Sequence, residues 1–214
     1  MDSYKHKGLR KLLAEEVRKK GIQDEKIIAA IAKIPRHLFL DSSFEKFAYQ
    51  DVAFPIGSGQ TISQPYTVAF QTELLQLKKG DKVLEVGTGS GYQACVLLEV
   101  GAKVFSIERQ HNLYLKTKPF LEKIGYAPKL FYGDGYKGLP AFAPFDKIII
   151  TAAAPEIPKE LLTQLKIGGL MVLPLGDDNG QVMTSIQRIS ENEFQQKKHG
   201  NFSFVPMLKD KAQD

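Results

Sequence analysis

Val83-Leu84-Glu85-Val86-Gly87-Thr88-Gly89-Ser90-Gly91-Tyr92 decides how this chain is read. An apolar run of strand character enters three alternating glycines, and a helix-forming stretch follows from Gln93 to Glu99. Such a turn lets the backbone approach a ligand closely, and the helix behind it presents unpaired N–H groups. The pattern predicts a nucleotide-type cradle at a strand-to-helix turn.

Outward from it, strand and helix alternate. Strands are expected at 83–86, 104–108, 129–132, 147–151 and 170–175, with helices at 92–100, 112–124 and 158–165. This predicts an α/β fold: a Rossmann-like, doubly wound, mostly parallel sheet with helices on both faces. Segments 181–189 and 201–205 lack a crossover helix between them and predict an antiparallel edge pair. Upstream, Leu9, Leu12, Leu13 and Val17 recur at helical spacing. Asp24 is placed to cap a second helix, which Pro35 ends. Phe44, Phe47, Tyr49 and Phe54 are expected to pack an irregular segment onto the body. The chain is read as one domain over 1–214: N-terminal helices and a substrate loop (1–78), a cofactor-binding core (79–208) and a disordered tail (209–214).

The 214 residues suffice for one buried core. No apolar run reaches the roughly 18–20 residues of a bilayer span, and Met1–Gly21 lacks a signal-peptide core. A cytoplasmic monomer is expected, with no membrane partner. The net charge is +5, and the first twenty residues carry seven Lys or Arg against three Asp or Glu. That reads as a solvated helix face, so no nucleic-acid partner is expected. The lone Cys95 is read as a core residue. His6, His37, His111 and His199 show no metal-ligand spacing, and no metal site is expected.

Two ligand classes use a glycine turn after the first strand. Gly89 to Ala94 satisfies the dinucleotide string G-x-G-x-x-G/A, but there the strand should meet the first glycine directly. Here it meets Gly87, and counting from Gly87 puts Tyr92 where a small residue belongs. Glu85 followed by Gly87, Gly89 and Gly91 fits S-adenosylmethionine (SAM) methyltransferases better, with Thr88 in the same turn. Glu108, ending the second strand beside Arg109, can accept bonds from both ribose hydroxyls, which NAD and SAM share. Gly133-Asp134-Gly135 follows the third strand, where Asp134 and Gly135 are expected at the adenine.

The sequence resembles the protein-L-isoaspartate O-methyltransferase family over nearly its whole length. The resemblance is carried by Gly59-Gln60-Thr61-Ile62-Ser63-Gln64-Pro65-Tyr66, Val83–Gln93, Gly133–Gly135, Phe145–Pro158 and Phe204-Val205-Pro206-Met207. It implies a SAM-dependent enzyme that methylates the free α-carboxylate of isoaspartyl residues in damaged proteins, initiating repair through a succinimide. It further implies Ser63 as the catalytic group, with Gln60, Thr61, Ile62, Val205 and Pro206 at the substrate. Met207 and Leu208 depart from the family pattern at the last pocket wall. From the residues alone, Ser63 could equally cap the helix after it. The competing functions are a SAM methyltransferase acting on a small molecule or RNA, a nicotinamide oxidoreductase, and a non-catalytic binding module.

Overall fold

The computed structural model describes residues 2–177 and 179–212. Helix α1 (Tyr4–Lys19) starts at a capping box between Ser3 and His6. Asp24 caps α2 (Glu25–Lys33), accepting from the Lys26 amide. Two 3-10 turns, Arg36–Phe39 and Ser42–Phe47, lead to a hairpin of β1 (Phe54–Gly57) and β2 (Gln60–Ile62). Helix α3 (Pro65–Leu74) then enters the body.

The core runs β3 (Lys82–Val86), α4 (Tyr92–Val100), β4 (Lys103–Glu108), α5 (His111–Lys123), β5 (Lys129–Tyr132), β6 (Phe145–Ile150), α6 (Lys159–Gln164), β7 (Leu165–Asp177), β8 (Gly180–Arg188) and β9 (Phe194–Phe202). The seven-stranded sheet has the order β5-β4-β3-β6-β7-β8-β9. Pairs from β5 to β7 are parallel, and β7–β8 and β8–β9 are antiparallel. After β3 the chain builds outward through β4 and β5, then returns to the other side of β3 as β6. That reversal leaves a crevice beyond the carboxyl ends of β3 and β6.

Successive residues of β3 serve opposite faces. Val83 packs with Ala94 and Leu97 of α4, whereas Leu84 and Val86 pack with Ile148 and with Leu161 of α6. Helices α1 and α2 add a further layer through Leu13, Val17, Ile27 and Ile31, which meet Val96 and Val100 of α4. Among the described residues no helix is long and apolar enough to cross a membrane.

Three expectations need correction. The last strand is Phe194–Phe202, not 201–205, because β9 is a mostly exposed polar edge placed by its register against β8. Phe47 is 46% exposed rather than packed. The tail is ordered through Ala212: its amide donates to the Arg109 carbonyl (3.0 Å), and its carbonyl accepts from the Tyr132 hydroxyl (2.7 Å). Residues 213 and 214 lie outside the described residues.

Candidate active site

The glycine turn is held from beneath by side chains of the neighbouring strands. Thr151, just past β6, donates its hydroxyl to the carbonyls of Val86 (3.0 Å) and Gly87 (2.7 Å). Gly87 has φ 97°, and a Cβ there would lie 2.5 Å from Thr151 Oγ1, so only glycine fits. Thr88 Oγ1 lies 2.6 Å from Ser106 Oγ, which in turn donates to Glu85. Thr117 on α5 donates to the Gly89 carbonyl at 2.7 Å.

Glu108 ends β4 with one carboxylate oxygen accepting from the Gly89 amide and the other from the Gln110 amide, each at 2.8 Å. Burial raises its pKa, and the two amides work against that rise. Each oxygen keeps a second lone pair for a ligand.

A cleft with about 820 Å³ of empty space, open solvent at its mouth included, lies above this turn. Of the residues singled out from sequence, Gln60, Thr61, Ile62, Ser63, Gly87, Thr88, Gly89, Glu108, Arg109, Gly135, Val205 and Pro206 all line it. Arg109 also anchors the tail, donating to the carbonyls of Asp210 and Lys209.

Three residues are not part of this lining. Glu85 shares the strand face of Val83, is fully buried and does not reach the cleft; burial pushes its carboxyl up to about 8. Gly91 begins α4 at φ 83° and packs on Leu121. Asp134 accepts from the Tyr136 amide (2.9 Å), leaving Gly135 to form the wall.

Sequence reasoning missed several wall residues. Val86 and Ile107 give the cleft apolar sides, joined by Met207, which the sequence places at the last wall, and Gln93 and Thr151 contribute polar ones. The alternation of β3 and β4 could have identified Val86 and Ile107, which pair with each other in register.

Ser63 is half-buried, and its hydroxyl makes no hydrogen bond among the described residues. The N-cap of α3 is Gln64, without a side-chain cap, so Ser63 does not cap that helix. The Tyr66 amide in the first turn bonds instead to Asp51 (2.7 Å), a residue the sequence did not flag. Ser63 and Thr61 also line a second, broader groove with Tyr66, Phe70, Phe202 and Val205.

Away from the cleft, ligand-type atoms of Asp2, His6 and His37 lie within 4.8 Å of one another. Arg10 grips both Asp2 oxygens (2.7 and 3.1 Å), and the two imidazoles touch at a 31° tilt with centroids 3.9 Å apart. A guanidinium therefore already neutralises the carboxylate, and the cluster reads as an ion pair beside a tilted ring contact.

The family model for protein-L-isoaspartate (D-aspartate) O-methyltransferase matches residues 8–212. The chain is 64% identical over 211 residues to the protein-L-isoaspartate O-methyltransferase of Christiangramia forsetii, covering 98% of this chain and 99% of that one. It is 45% identical to the enzyme of that name from Salinibacter ruber, covering 97% of this chain and 94% of that one. A solved structure of a protein-L-isoaspartate O-methyltransferase superposes with TM-score 0.83 at 30% identity, covering 92% of this chain and 65% of the longer solved chain. With cleft, topology and sequence in agreement, the chain belongs to the protein-L-isoaspartate O-methyltransferase family.

Proposed function

We propose that this enzyme methylates the free α-carboxylate of L-isoaspartyl residues in damaged proteins and peptides, with S-adenosylmethionine as donor and Ser63 aiming the carboxylate. The observation that carries this reading is a shared cavity: the Gln60–Ser63 segment and the Gly87–Gly89 turn are walls of one cleft. The cleft suits the donor. Glu108 has two lone pairs to spare for vicinal ribose hydroxyls, and Ile107 and Met207 offer apolar surface to a base. Bound there, S-adenosylmethionine supplies an electrophilic methyl whose departure leaves a neutral thioether.

The chain's own task is then orientation. The substrate carboxylate, with an ordinary pKa of about 3.5–4, is already ionised near neutral pH and needs no general base. Ser63 donates its hydroxyl to one carboxylate oxygen and leaves the other to attack. Alignment of this kind can lower a barrier by roughly 7–11 kcal/mol. The broader groove meeting the cleft at Thr61 and Ser63 gives the flanking peptide a path across Tyr66 and Phe202. In the methyl ester the next backbone amide nitrogen attacks the ester carbonyl and expels methanol, which a carboxylate cannot match with its own oxygen, so the succinimide re-forms and hydrolyses partly to normal aspartate.

The test is methyl transfer from labelled S-adenosylmethionine to an isoaspartyl peptide and its aspartyl twin. Only the first should be labelled. Losing a hydrogen bond to a charged group costs about 1.5–3 kcal/mol, so Ser63→Ala should lower kcat/KM roughly 10- to 100-fold. S-adenosylhomocysteine affinity should stay within about threefold, since the hydroxyl serves the other ligand. Equal labelling of both peptides, or parallel loss of both affinities, would defeat the proposal.

A further inference from the structure

The segment bearing Ser63 leaves the body after Asp51 and rejoins it at Gln64, and one buried carboxylate joins the two ends. The Asp51 side chain is only 2% exposed. Its Oδ1 accepts from the Tyr66 amide at 2.7 Å, and its Oδ2 accepts from Gln64 Nε2 at 2.9 Å and from Lys20 Nζ. The next residue is held as well: the fully buried Arg36 donates to the Val52 carbonyl at 3.1 Å.

Tyr66 is the second residue of α3, so its amide is one of those a helix cannot satisfy internally. Gln64 offers no side-chain cap, and Asp51 fills that role from fifteen residues upstream, with a charge that the helix start favours. Between these anchors the chain can only run out along β1 and back along β2, where Phe54 pairs with Ile62 and Pro55 with Thr61. The hairpin leans on the glycine turn: a Cβ built on Gly89 would lie 3.4 Å from Ile56 Cδ1. Ser63 thus sits between a paired strand and an anchored helix start, with no bond of its own to fix it.

We infer that Asp51 is a positioning residue of the reaction, closing the neck of the 52–63 loop and setting where Ser63 stands over the cleft. This rests on the reading of Ser63 given above.

The test combines kinetics with hydrogen exchange on Asp51→Ala and Asp51→Asn. Asp51→Ala removes every neck bond, whereas Asp51→Asn keeps an acceptor for the Tyr66 amide but loses the charge. Three lost bonds, one from an ammonium, should lower kcat with the isoaspartyl peptide at least roughly tenfold, with KM raised. Amides in 54–63 should exchange at least about tenfold faster while those of β3 to β6 stay unchanged. Asp51→Asn should fall between Asp51→Ala and wild type, and S-adenosylhomocysteine affinity should hold within about threefold in both. Kinetic constants and exchange matching wild type would overturn the inference, as would faster exchange across the whole sheet. If Asp51→Ala does not fold, the same outcomes in Asp51→Asn decide. The exchange readout does not involve Ser63. A harmless Ser63→Ala beside faster loop exchange in the Asp51 variants would sink the serine reading and leave the neck standing.

Discussion

Replacing Glu85 with glutamine separates the carboxylate that supports the glycine turn from the one that faces the ligand. Glu85 is fully buried, one oxygen accepts from Ser106, and the other has no partner. Burial lifts its carboxyl from an ordinary 4.5 to about 8, with the Ser106 bond opposing the rise. The native state therefore holds the proton more tightly than the unfolded chain does. Stability from this group is fully present below pH 4.5 and is lost as pH rises toward about 8. At 1.36 kcal/mol per unit, the wild type should lose about 2 kcal/mol through Glu85 between pH 6 and pH 8. Glutamine can still accept from Ser106 and does not titrate, so that slope should vanish. Its unpartnered amide costs about 1–3 kcal/mol at every pH, which shifts the curve without tilting it. Urea unfolding of both proteins at pH 6, 7 and 8 gives a difference in which the other titrating groups cancel. A difference flat with pH would refute the assignment. S-adenosylhomocysteine titrated into the same samples should bind within about threefold of wild type, because Glu85 lies outside the cleft wall. A tenfold loss there would mean that Glu85 reaches the ligand after all.

Glu108→Ala should behave in the opposite way. With both proposed ribose bonds lost and the Gly89 amide released, S-adenosylhomocysteine affinity should fall on the order of 100-fold by calorimetry, and a change under about threefold would remove Glu108 from the site. Gly87→Ala should destabilise by about 2–4 kcal/mol, from a positive φ plus a Cβ driven onto Thr151. Gly80→Ala, at φ 89° with open space around its Cβ, should cost only about 1–2 kcal/mol. Equal urea midpoint shifts for the two would show that the Thr151 contact relaxes freely.

Local patterns carried most of the core into view. The run from Val83 to Tyr92 announces a strand, a turn and a helix within ten residues, and β5 and α4 match their expected bounds. What stayed hidden depends on partners far along the chain. The β1–β2 hairpin has strands of four and three residues, one containing Pro55, too short for a periodic signal. Its Ser58-Gly59 turn takes positive φ at both residues, which fits a tight hairpin but is unusual for serine. Asp51 looks like any loop aspartate until Lys20, Gln64 and Tyr66 converge on it from 13 to 31 positions away. Glu85 and Glu108 both read as strand acids beside the glycines. Only the faces tell them apart: Glu85 points under α4, while Glu108 closes its strand at the rim.

The hydroxyls around the cleft give an independent argument for which one meets the substrate. Thr151 is committed to the carbonyls of Val86 and Gly87, and Thr88 to Ser106. Ser90 accepts from the Tyr92 amide within the turn itself. Thr151 and Thr88 brace the glycine loop and could not bond a ligand without loosening it, whereas Ser90, an acceptor here, keeps its hydroxyl hydrogen on the turn itself. Among the described residues, the Tyr92 hydroxyl is also unbonded but buried beside Arg36, and Ser90 lies on the glycine turn, so the free donors that stand where cleft and groove meet are Thr61 and Ser63. Thr61 is exposed, so water competes for its hydroxyl, whereas Ser63 is half-buried. A hydroxyl in the drier position bonds an anion more strongly and loses less to solvent. For a reaction in which no proton must move, a fixed and unspent donor is the whole requirement, and Ser63 meets it through the backbone on either side of it.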